Sequence, residues 1–591
     1  MPAQLDQTPL QTTQGLTRTW DTSKITTDSP APQNLVTRVM AARNLHDQKS
    51  ANDFLNPTLA TLHNPSLIPD LDKAAQRILT AIDKNEQITI FGDYDVDGIT
   101  ATAILYHILN TIAPKTKINT YIPHRINEGY GLNKTAIDTL ADQGTKLLIT
   151  VDCGITAIAP ALHAKKRNID LIITDHHNPP TNLDDMPDCY AVVHPRRPDS
   201  TYPFGELCGA GVAYKLAWRI ATLHCKSETV TPQLRTTLLD LLTLAALGTI
   251  ADVVPLIDEN RTITKFGLAK IKSTPIQGLH ALIHASNLDT NQVDAEAVGF
   301  RLAPRLNAIG RLGHAEGALE LMTTATGQRA TDLANQLSTL NDDRRATEQR
   351  ILKQALEMAQ QQGMTSPDKR AIILAHEDWH PGVVGIVCSR LVDRFARPTI
   401  LMQRKDGLCK GSARSIAGYS IHEALESAAT HLNTFGGHDM AAGLTCDESN
   451  FQNLVESITH HANTNLTPDD LTHTLKIDAI AKIDELTEQT LTTLENLAPF
   501  GAGNPRIKIL IQNAKINGRP EPFGKTGTHL SLRIGDANNG TRIIRVIGWS
   551  WWQKARDIAP GSVIDLVVEP KLSRWNGRVR IEPLLSDLRV L

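Results

Sequence analysis

Three carboxylates at two-residue spacing, Asp93, Asp95 and Asp97, fill the stretch Phe91-Gly92-Asp93-Tyr94-Asp95-Val96-Asp97-Gly98. The apolar run Ile88-Thr89-Ile90 precedes them and Ile99-Thr100-Ala101-Thr102-Ala103-Ile104-Leu105 follows, which reads as a buried strand, a glycine-bounded turn and a helix. Side chains two apart on an extended segment share a side, so the three anions converge at the strand's carboxyl end, the edge where open α/β sheets bind ligands. Converging carboxylates repel one another unless a cation neutralises them, and a divalent metal is the simplest such cation. Taken alone, the pattern fits a solvated acidic turn equally well. It does not fit a calcium-binding EF-hand, whose loop needs a Glu at its twelfth position, because that position is Ile104.

Two more apolar runs end in the same way: Leu147-Leu148-Ile149-Thr150-Val151 leads into Asp152-Cys153-Gly154, and Leu171-Ile172-Ile173-Thr174 into Asp175-His176-His177. One Asp after a strand is commonly a helix N-cap. Three such ends within about 90 residues point to a shared site. A fourth candidate, Asp252, follows Leu247-Gly248-Thr249-Ile250-Ala251, read as a strand. Oxygen-rich ligation with a minority of imidazole suits Mn²⁺ or Mg²⁺ better than structural zinc.

The elements that must position these groups alternate. Helices are expected over 72–83, 100–110, 133–143 and from 157, with strands over 87–91, 118–122, 146–152, 170–175 and 190–194. Such repeats give a mostly parallel sheet with helices on both faces. Ahead of them, residues 1–70 form a Thr-, Asn- and Pro-rich lead-in with one amphipathic helix near 35–45. Between Gly327 and Gly363 there is neither Gly nor Pro, which predicts a bridging helix about 50 Å long. A second α/β unit follows over about 368–462, with a strand at 370–375 and a helix at 383–395. Pro381 in that helix's first turn leaves free N–H groups pointing outward, a natural phosphate seat. The segments Gly411-Ser412-Ala413-Arg414-Ser415 and Phe435-Gly436-Gly437-His438 add a hydroxyl, a guanidinium and glycines that permit close backbone approach.

The last module reads as short strands at 508–516, 529–534, 541–548, 562–568 and 578–583, interleaved with Trp549, Trp551, Trp552 and Trp575. That suits an OB-type barrel that stacks bases and tracks phosphates, with Trp549 in its core and Trp575, between Arg574 and Arg578, exposed as a DNA contact. Residues 501–591 carry 15 Lys and Arg against 7 Asp and Glu, or +8, which leaves −11 for the rest of the chain. The layout is therefore a lead-in (1–70), a catalytic α/β domain (71–326), a connecting helix (327–363), a second α/β domain (364–470) and an OB-type nucleic-acid-binding domain (471–591). Two apparent nucleotide motifs fail: Gly524-Lys525-Thr526 lacks P-loop spacing, and Gly501-Ala502-Gly503 lacks the third glycine of a dinucleotide fingerprint.

Composition sets the bounds. At 591 residues the chain is too long for one core, and 41% hydrophobic with 21% charged residues is ordinary for a soluble globular protein. Residues 1–27 show no signal-peptide pattern. The most apolar window, 238–257, contains Asp240 and Asp252 and reads as a buried helix and strand rather than a membrane span. Seven scattered cysteines without a CxxC pair fit reduced thiols in a cytoplasmic protein.

The ordered segments GDYDVDG, TVDCG, TDHH and GTIADVVPL resemble the four motifs of the DHH phosphoesterases. The resemblance continues through residues 121–131, 300–312, 378–385, 411–415, 435–438 and 497–505 and is strongest to the family's single-strand-specific 5′ to 3′ DNA exonucleases. It implies a parallel-sheet DHH domain, a DHH-associated α/β domain and two divalent ions, Mn²⁺ or Mg²⁺. Asp95 would hold the first ion and Asp97 the second, Asp152 would bridge them, and His176 and Asp252 would complete the second site. The family often has a histidine where Phe91 stands, so Asp93 or water would substitute at the first ion. By the same resemblance His177 faces the scissile phosphate or its water, with Arg305, Asn307 and Arg311 beside the phosphates. Arg125, Ser412 and Arg414 would hold the DNA 5′-phosphate, next to Gly436, Gly437 and His438, and Tyr130 would narrow the cleft to single strands. The function implied is hydrolysis of single-stranded DNA to mononucleotides in recombination and repair, by a monomer partnered by a RecQ-type helicase and a single-strand-binding protein. A phosphodiesterase for short RNAs or cyclic dinucleotides has no need of a basic strand-rich module, and an inactive scaffold has no reason to keep buried carboxylates.

Overall fold

The computed structural model describes residues 12–25, 34–124, 128–312, 315–536, 542–575 and 578–591. The chain divides into two compact units, one of residues 57–347 with 499–505, the other of residues 1–56, 348–498 and 506–591.

The first unit is built on five parallel strands: β1 (Ile88–Gly92), β2 (Ile118–Tyr121), β3 (Leu147–Val151), β4 (Asp170–Thr174) and β5 (Ala191–Val193), in the order β2-β1-β3-β4-β5. β1 and β3 are buried along their whole length, as continuous apolar, β-branched runs covered on both faces must be. Alternation splits the side chains of β1, β3 and β4: Ile88, Ile90, Leu147, Ile149, Val151 and Ile172 enter one core, Phe91, Leu148, Leu171 and Ile173 the other. The chain leaves β1 toward β2 and returns to β3 on β1's other side, so the topological switch point lies between the carboxyl ends of β1 and β3. The larger core is completed by helices α1 (Val96–Ile112), α2 (Gly209–Cys225), α3 (Pro232–Ala251) and α4 (Asp258–Lys270).

α3 corrects one expectation. Residues 247–251 continue a helix that starts at the Thr231 N-cap with Pro232 in its first turn, so Asp252 caps a helix instead of ending a strand. Short apolar runs do not distinguish a buried strand from a buried helix. α3 is long and apolar enough to cross a membrane, but its apolar residues form the core against α1, α2 and α4. A short π segment, Val298–Leu302, runs into α5 (Ala303–Leu312), and α6 (Gly327–Gln361) gives Leu333 and Leu337 to this unit's core and Ile351, Ala355 and Ala359 to a core of the other.

The second unit holds a sheet of β6 (Ile372–His376), β7 (Thr399–Lys405), β8 (Leu408–Arg414), β9 (Thr434–His438) and β10 (Ala441–Asp447), ordered β9-β10-β8-β7-β6. Only the β6–β7 pairing in it is parallel, and α7 (Pro381–Phe395) lies against it. A closed barrel follows: β11 (Ile509–Ile516), β12 (His529–Asp536), β13 (Ile543–Gly548), β14 (Val563–Glu569) and β15 (Leu584–Val590), paired β11-β14-β15-β13-β12 and back to β11. Its fifth strand is β15, not 578–583. Arg578–Ile581 belongs to a separate hairpin with Leu572–Trp575, and none of its four residues is buried. The expected lead-in is divided. The hairpin Thr12–Gln14 and Thr19–Asp21 pairs with Thr474–Lys476, and Trp20 donates its indole N–H to Asp587 at 2.9 Å, whereas residues 57–70 pack in the first unit.

Candidate metal centre

At the switch point the turn after β1 is closed by Gly98, where any Cβ would stand 2.5 Å from the Asp93 carbonyl oxygen. Asp95 caps α1, its carboxylate accepting from the Gly98 N–H at 3.1 Å. Asp97, in the first turn of α1, is buried and accepts from the Gly209 N–H at 2.6 Å and the Ala210 N–H at 2.8 Å. Those amides are unused by α2 itself, so a helix N-terminus is aimed at a carboxylate. From β3, Asp152 takes a left-handed conformation with φ 61°, strained for a residue with a Cβ, which directs its carboxylate into the same space. Gly209 makes room for it: a Cβ there would lie 2.6 Å from the Asp152 Cβ.

From β4 comes His176, whose Nε2 lies 3.1 Å from Asp152 Oδ1, 3.6 Å from Asp252 Oδ2 and 3.7 Å from Asp97 Oδ2. Three sets of ligand atoms each lie within 4.8 Å of one another: Asp93, Asp95 and Asp152; Asp97, His176 and Asp252; and Asp152, His176 and His177. Asp152 Oδ1 and His176 Nε2 are buried and have no hydrogen-bond partner among the described residues. Burial, then Asp97, Asp95, Asp93 and Asp252, pushes the Asp152 carboxyl well above its ordinary range; burial and Asp97 raise Asp95; burial, Asp97 and Asp95 carry Asp252 up to about 8. Burial holds the His176 imidazole low and therefore neutral, the form that ligates. Orphaned ligand atoms among mutually repelling carboxylates are what hard divalent cations relieve, and the donor set suits Mn²⁺ or Mg²⁺.

Phe91 is no part of this site. It is fully buried and stacked on Tyr121 with ring centroids 5.3 Å apart, while Asp93 joins Asp95 and Asp152.

His177 sits at the rim. Asp175 Oδ1 accepts from the backbone N–H of both His176 and His177 and lies 2.7 Å from His177 Nδ1, while Asp175 Oδ2 accepts from the Ile155 N–H. Burial alone would lower the His177 pKa; the Asp175 hydrogen bond and charge, then Asp252 and Asp97, bring it up to about 9. The Asp175 carboxyl is held below the ordinary range against its own burial by the same bond. The Tyr130 hydroxyl donates to the Asp152 carbonyl at 3.2 Å and lies 3.2 Å from His177 Nδ1, with the ring 53% exposed. Behind the pair, His194 Nε2 contacts the His177 carbonyl at 2.7 Å and Arg196 donates to the His176 carbonyl at 2.6 Å. Asp175, His194, Arg196 and the α2 amides have no role in the sequence reading. Only the Asp of TDHH hinted at one, and backbone amides leave no side-chain signature.

Asn307 reaches the site's edge, accepting from the Val96 N–H at 3.1 Å, so it caps α1 from α5. Arg305 is engaged elsewhere: it donates to Ser338 Oγ at 3.0 Å and to the Arg301 carbonyl at 2.6 Å, with no described contact to the carboxylates. In the second unit Ser412 and Arg414 share one face of β8 opposite Gly385 of α7, whose missing side chain leaves room for them. Gly436 pairs across β10 with Gly443, which pairs with Ser412, and Gly436, Gly437 and His438 are exposed along β9. Arg574 pairs with Glu495 at 3.0 Å and Arg578 is exposed, both on the hairpin outside the barrel. Arg125 and the side chains of Arg311 and Trp575 lie outside the described residues. Trp549, expected in the barrel core, is 56% exposed because it follows β13 at the barrel's rim, and its ring meets His529 at 4.7 Å and Phe523 at 5.5 Å.

Three family models match the chain: DHH family, N-terminal domain, over residues 87–249; DHHA1 domain over 368–464; and RecJ OB domain over 477–587. The single-stranded-DNA-specific exonuclease RecJ of Bacillus subtilis is 38% identical over 94% of this chain and 68% of its own length, and that of Thermus thermophilus 34% over 90% and 72%. The chain belongs to the RecJ family of single-stranded-DNA-specific exonucleases. The crystal structure of Thermus thermophilus RecJ in complex with Mn²⁺ superimposes with a TM-score of 0.78 at 31% identity, covering 93% of this chain and 75% of that one. Its complex with Mg²⁺ gives 0.72 at 30%, covering 93% and 74%. The match to the DHH domain spans Asp93 through His177 and ends at Thr249, just before Asp252.

Proposed function

We propose that this chain removes mononucleotides from the 5′ end of single-stranded DNA at a centre for two divalent ions. The reading rests on Asp152, whose carboxylate falls both in the Asp93–Asp95 group and in the His176–His177 group, as a bridging ligand must. Asp93, Asp95 and Asp152 would hold one ion; Asp97, His176, Asp252 and Asp152 the other. When bound, such ions lower the pKa of water and neutralise charge on the phosphate. The chain's own groups do the rest. Asp175 fixes the His177 ring through Nδ1, which leaves Nε2, 3.4 Å from the Tyr130 hydroxyl, to pass a proton to the leaving oxygen. Tyr130 stands over His177 and restricts what reaches it.

The 5′ polarity would need a seat for a terminal phosphate. Ser412 and Arg414, beside the first turns of α7, offer a hydroxyl, a guanidinium and a helix N-terminus to a 5′-phosphate dianion. On the barrel, Trp549 with His529 and Phe523, and Arg545 over the Phe523 ring at 5.8 Å, form an aromatic and cationic surface on which bases stack. A substrate limited to single strands needs an opened duplex, which is the place of a RecQ-type helicase and a single-strand-binding protein in recombination and repair. The test is DNA labelled at either end, incubated with Mn²⁺ and the protein or its Asp152→Ala variant. Mononucleotides should appear from the 5′-labelled end alone, and not at all with the variant; release from the 3′ end, or an active variant, defeats the reading.

A further inference from the structure

Asp252 is followed by a conformational anomaly. Val253 adopts φ 62°, a left-handed conformation that a β-branched residue takes only under constraint, and its side chain is 69% exposed, so packing of that side chain does not impose it. The constraint must come through the backbone on either side. Upstream, the Asp252 and Val253 amides close the end of α3 on the Gly248 and Ile250 carbonyls. Downstream, Asn260 of α4, itself buried, donates to the Pro255 carbonyl at 3.1 Å. The next amide, that of Leu256, donates to the Ala502 carbonyl at 2.7 Å.

Ala502 belongs to Pro499–Pro505, which packs in the first unit while the chain on either side of it belongs to the other. This loop is a tight turn: Gly501 and Asn504 exchange backbone hydrogen bonds at 2.9 and 3.2 Å, and the Asn504 side-chain amide donates to the Pro499 carbonyl at 2.8 Å. Gly503 supplies the left-handed φ of 70°, and a Cβ there would come within 2.9 Å of the Pro255 Cβ and 3.3 Å of Ile257 Cγ2. The Gly-Ala-Gly that fails as a nucleotide fingerprint thus meets a different need, backbone laid directly against the segment after Asp252.

We propose that Pro499–Pro505 is a positioning element for Asp252, holding the strained Val253 turn so that the carboxylate faces His176 and Asp97. This rests on the reading of Asp252 as a metal ligand. Released from the loop, Val253 relaxes out of the left-handed region and turns the preceding carboxylate away, while Asp93, Asp95 and Asp152 keep their places.

The experiment is Mn²⁺ binding to the full chain, followed by calorimetry and by the electron paramagnetic resonance of free Mn²⁺, with melting temperature measured in parallel. Gly503→Ala should leave one ion binding as in the parent and weaken the other about tenfold to a hundredfold, the range for losing a ligand's support. Adding Val253→Gly, which removes the strain, should restore the weak site to within a few fold in the double variant. Asp252→Asn separates the two readings. If it leaves both ions bound as before, the ligand assignment falls and the positioning role with it. If it loses one ion while Gly503→Ala loses none, or if Val253→Gly fails to restore the Gly503→Ala site, only the positioning role is overturned.

Discussion

Among single residues, Asp175 is the most informative because it holds no ion in this arrangement and still decides what the site can do. One carboxylate oxygen receives two successive backbone amides and the His177 ring nitrogen, which keeps a proton on Nδ1 and fixes the ring's direction. Asp175→Asn keeps an oxygen for the two backbone amides and the ring, but it withdraws the charge that raises His177 and turns an amide donor on the Ile155 N–H, so the ring loses its proton more readily and its support is disturbed. Loss of such an orienting carboxylate costs about a hundredfold to ten-thousandfold in kcat where the pattern is known. The expectation is a drop of that size with Mn²⁺ affinity changed by less than about threefold, measured by single-turnover hydrolysis beside Mn²⁺ titration. A variant that loses both together would make Asp175 a support for the whole cluster instead of an orienter of His177.

At the scale of elements, the site is a meeting of helix ends around two strand ends. α1 is capped by one candidate ligand, α2 aims its free amides at another, and α3 ends on a third. Gly248 makes this convergence possible, since a Cβ there would lie 2.5 Å from Asp97 Oδ1 and 2.6 Å from the Ala210 Cβ. Gly248→Ala should therefore push α3 off α2 at about 1–3 kcal/mol in stability, the usual cost of overpacking, and should weaken Mn²⁺ binding through Asp97. Chemical denaturation beside Mn²⁺ titration checks both, and a stable variant with intact binding would show that the helices can shift apart without moving the carboxylate. Much of this level was legible in the sequence. β1, β3 and β4 announce themselves as apolar runs of strand length, each ending in acid or imidazole. The end of α3 was not legible, because Leu247–Ala251 satisfies either period. Nor was β15, since the charged hairpin before it drew the strand assignment, nor the exposure of Trp549, since an indole beside a strand fits core and rim alike.

For the molecule as a whole, the acidic cluster makes metal-free folding pH-dependent in a direction opposite to ordinary acid denaturation. Asp252 titrates at about 8 in the fold and near 3.9 in an unfolded chain, and Asp152 and Asp95 are shifted the same way. Between those values the folded state holds protons that the unfolded state has released, so stability falls as pH rises toward 8. His194, held down to about 4 by burial, and the similarly lowered His176 work the other way, but only up to the unfolded histidine value near 6.5, above which both states are neutral. Above pH 6.5 the carboxylates set the slope together with His177, which at a pKa of about 9 stays protonated in the fold while its unfolded counterpart is neutral, about 1.4 kcal/mol per pH unit for each proton retained, or about 2 kcal/mol per proton between pH 6.5 and 8. Bound Mn²⁺ requires the ionised carboxylates, which removes that slope and makes stabilisation by the ion grow with pH. Melting in EDTA should accordingly occur at lower temperature at pH 8 than at pH 6.5, with saturating Mn²⁺ raising it more at pH 8. Hydrogen exchange should assign the added protection to β1, β3, β4 and α1 and leave the barrel strands β11 to β15 unchanged. An Mn²⁺ increment equal at the two pH values would mean that the carboxylates are already ionised in the metal-free fold, held by charges other than the ions.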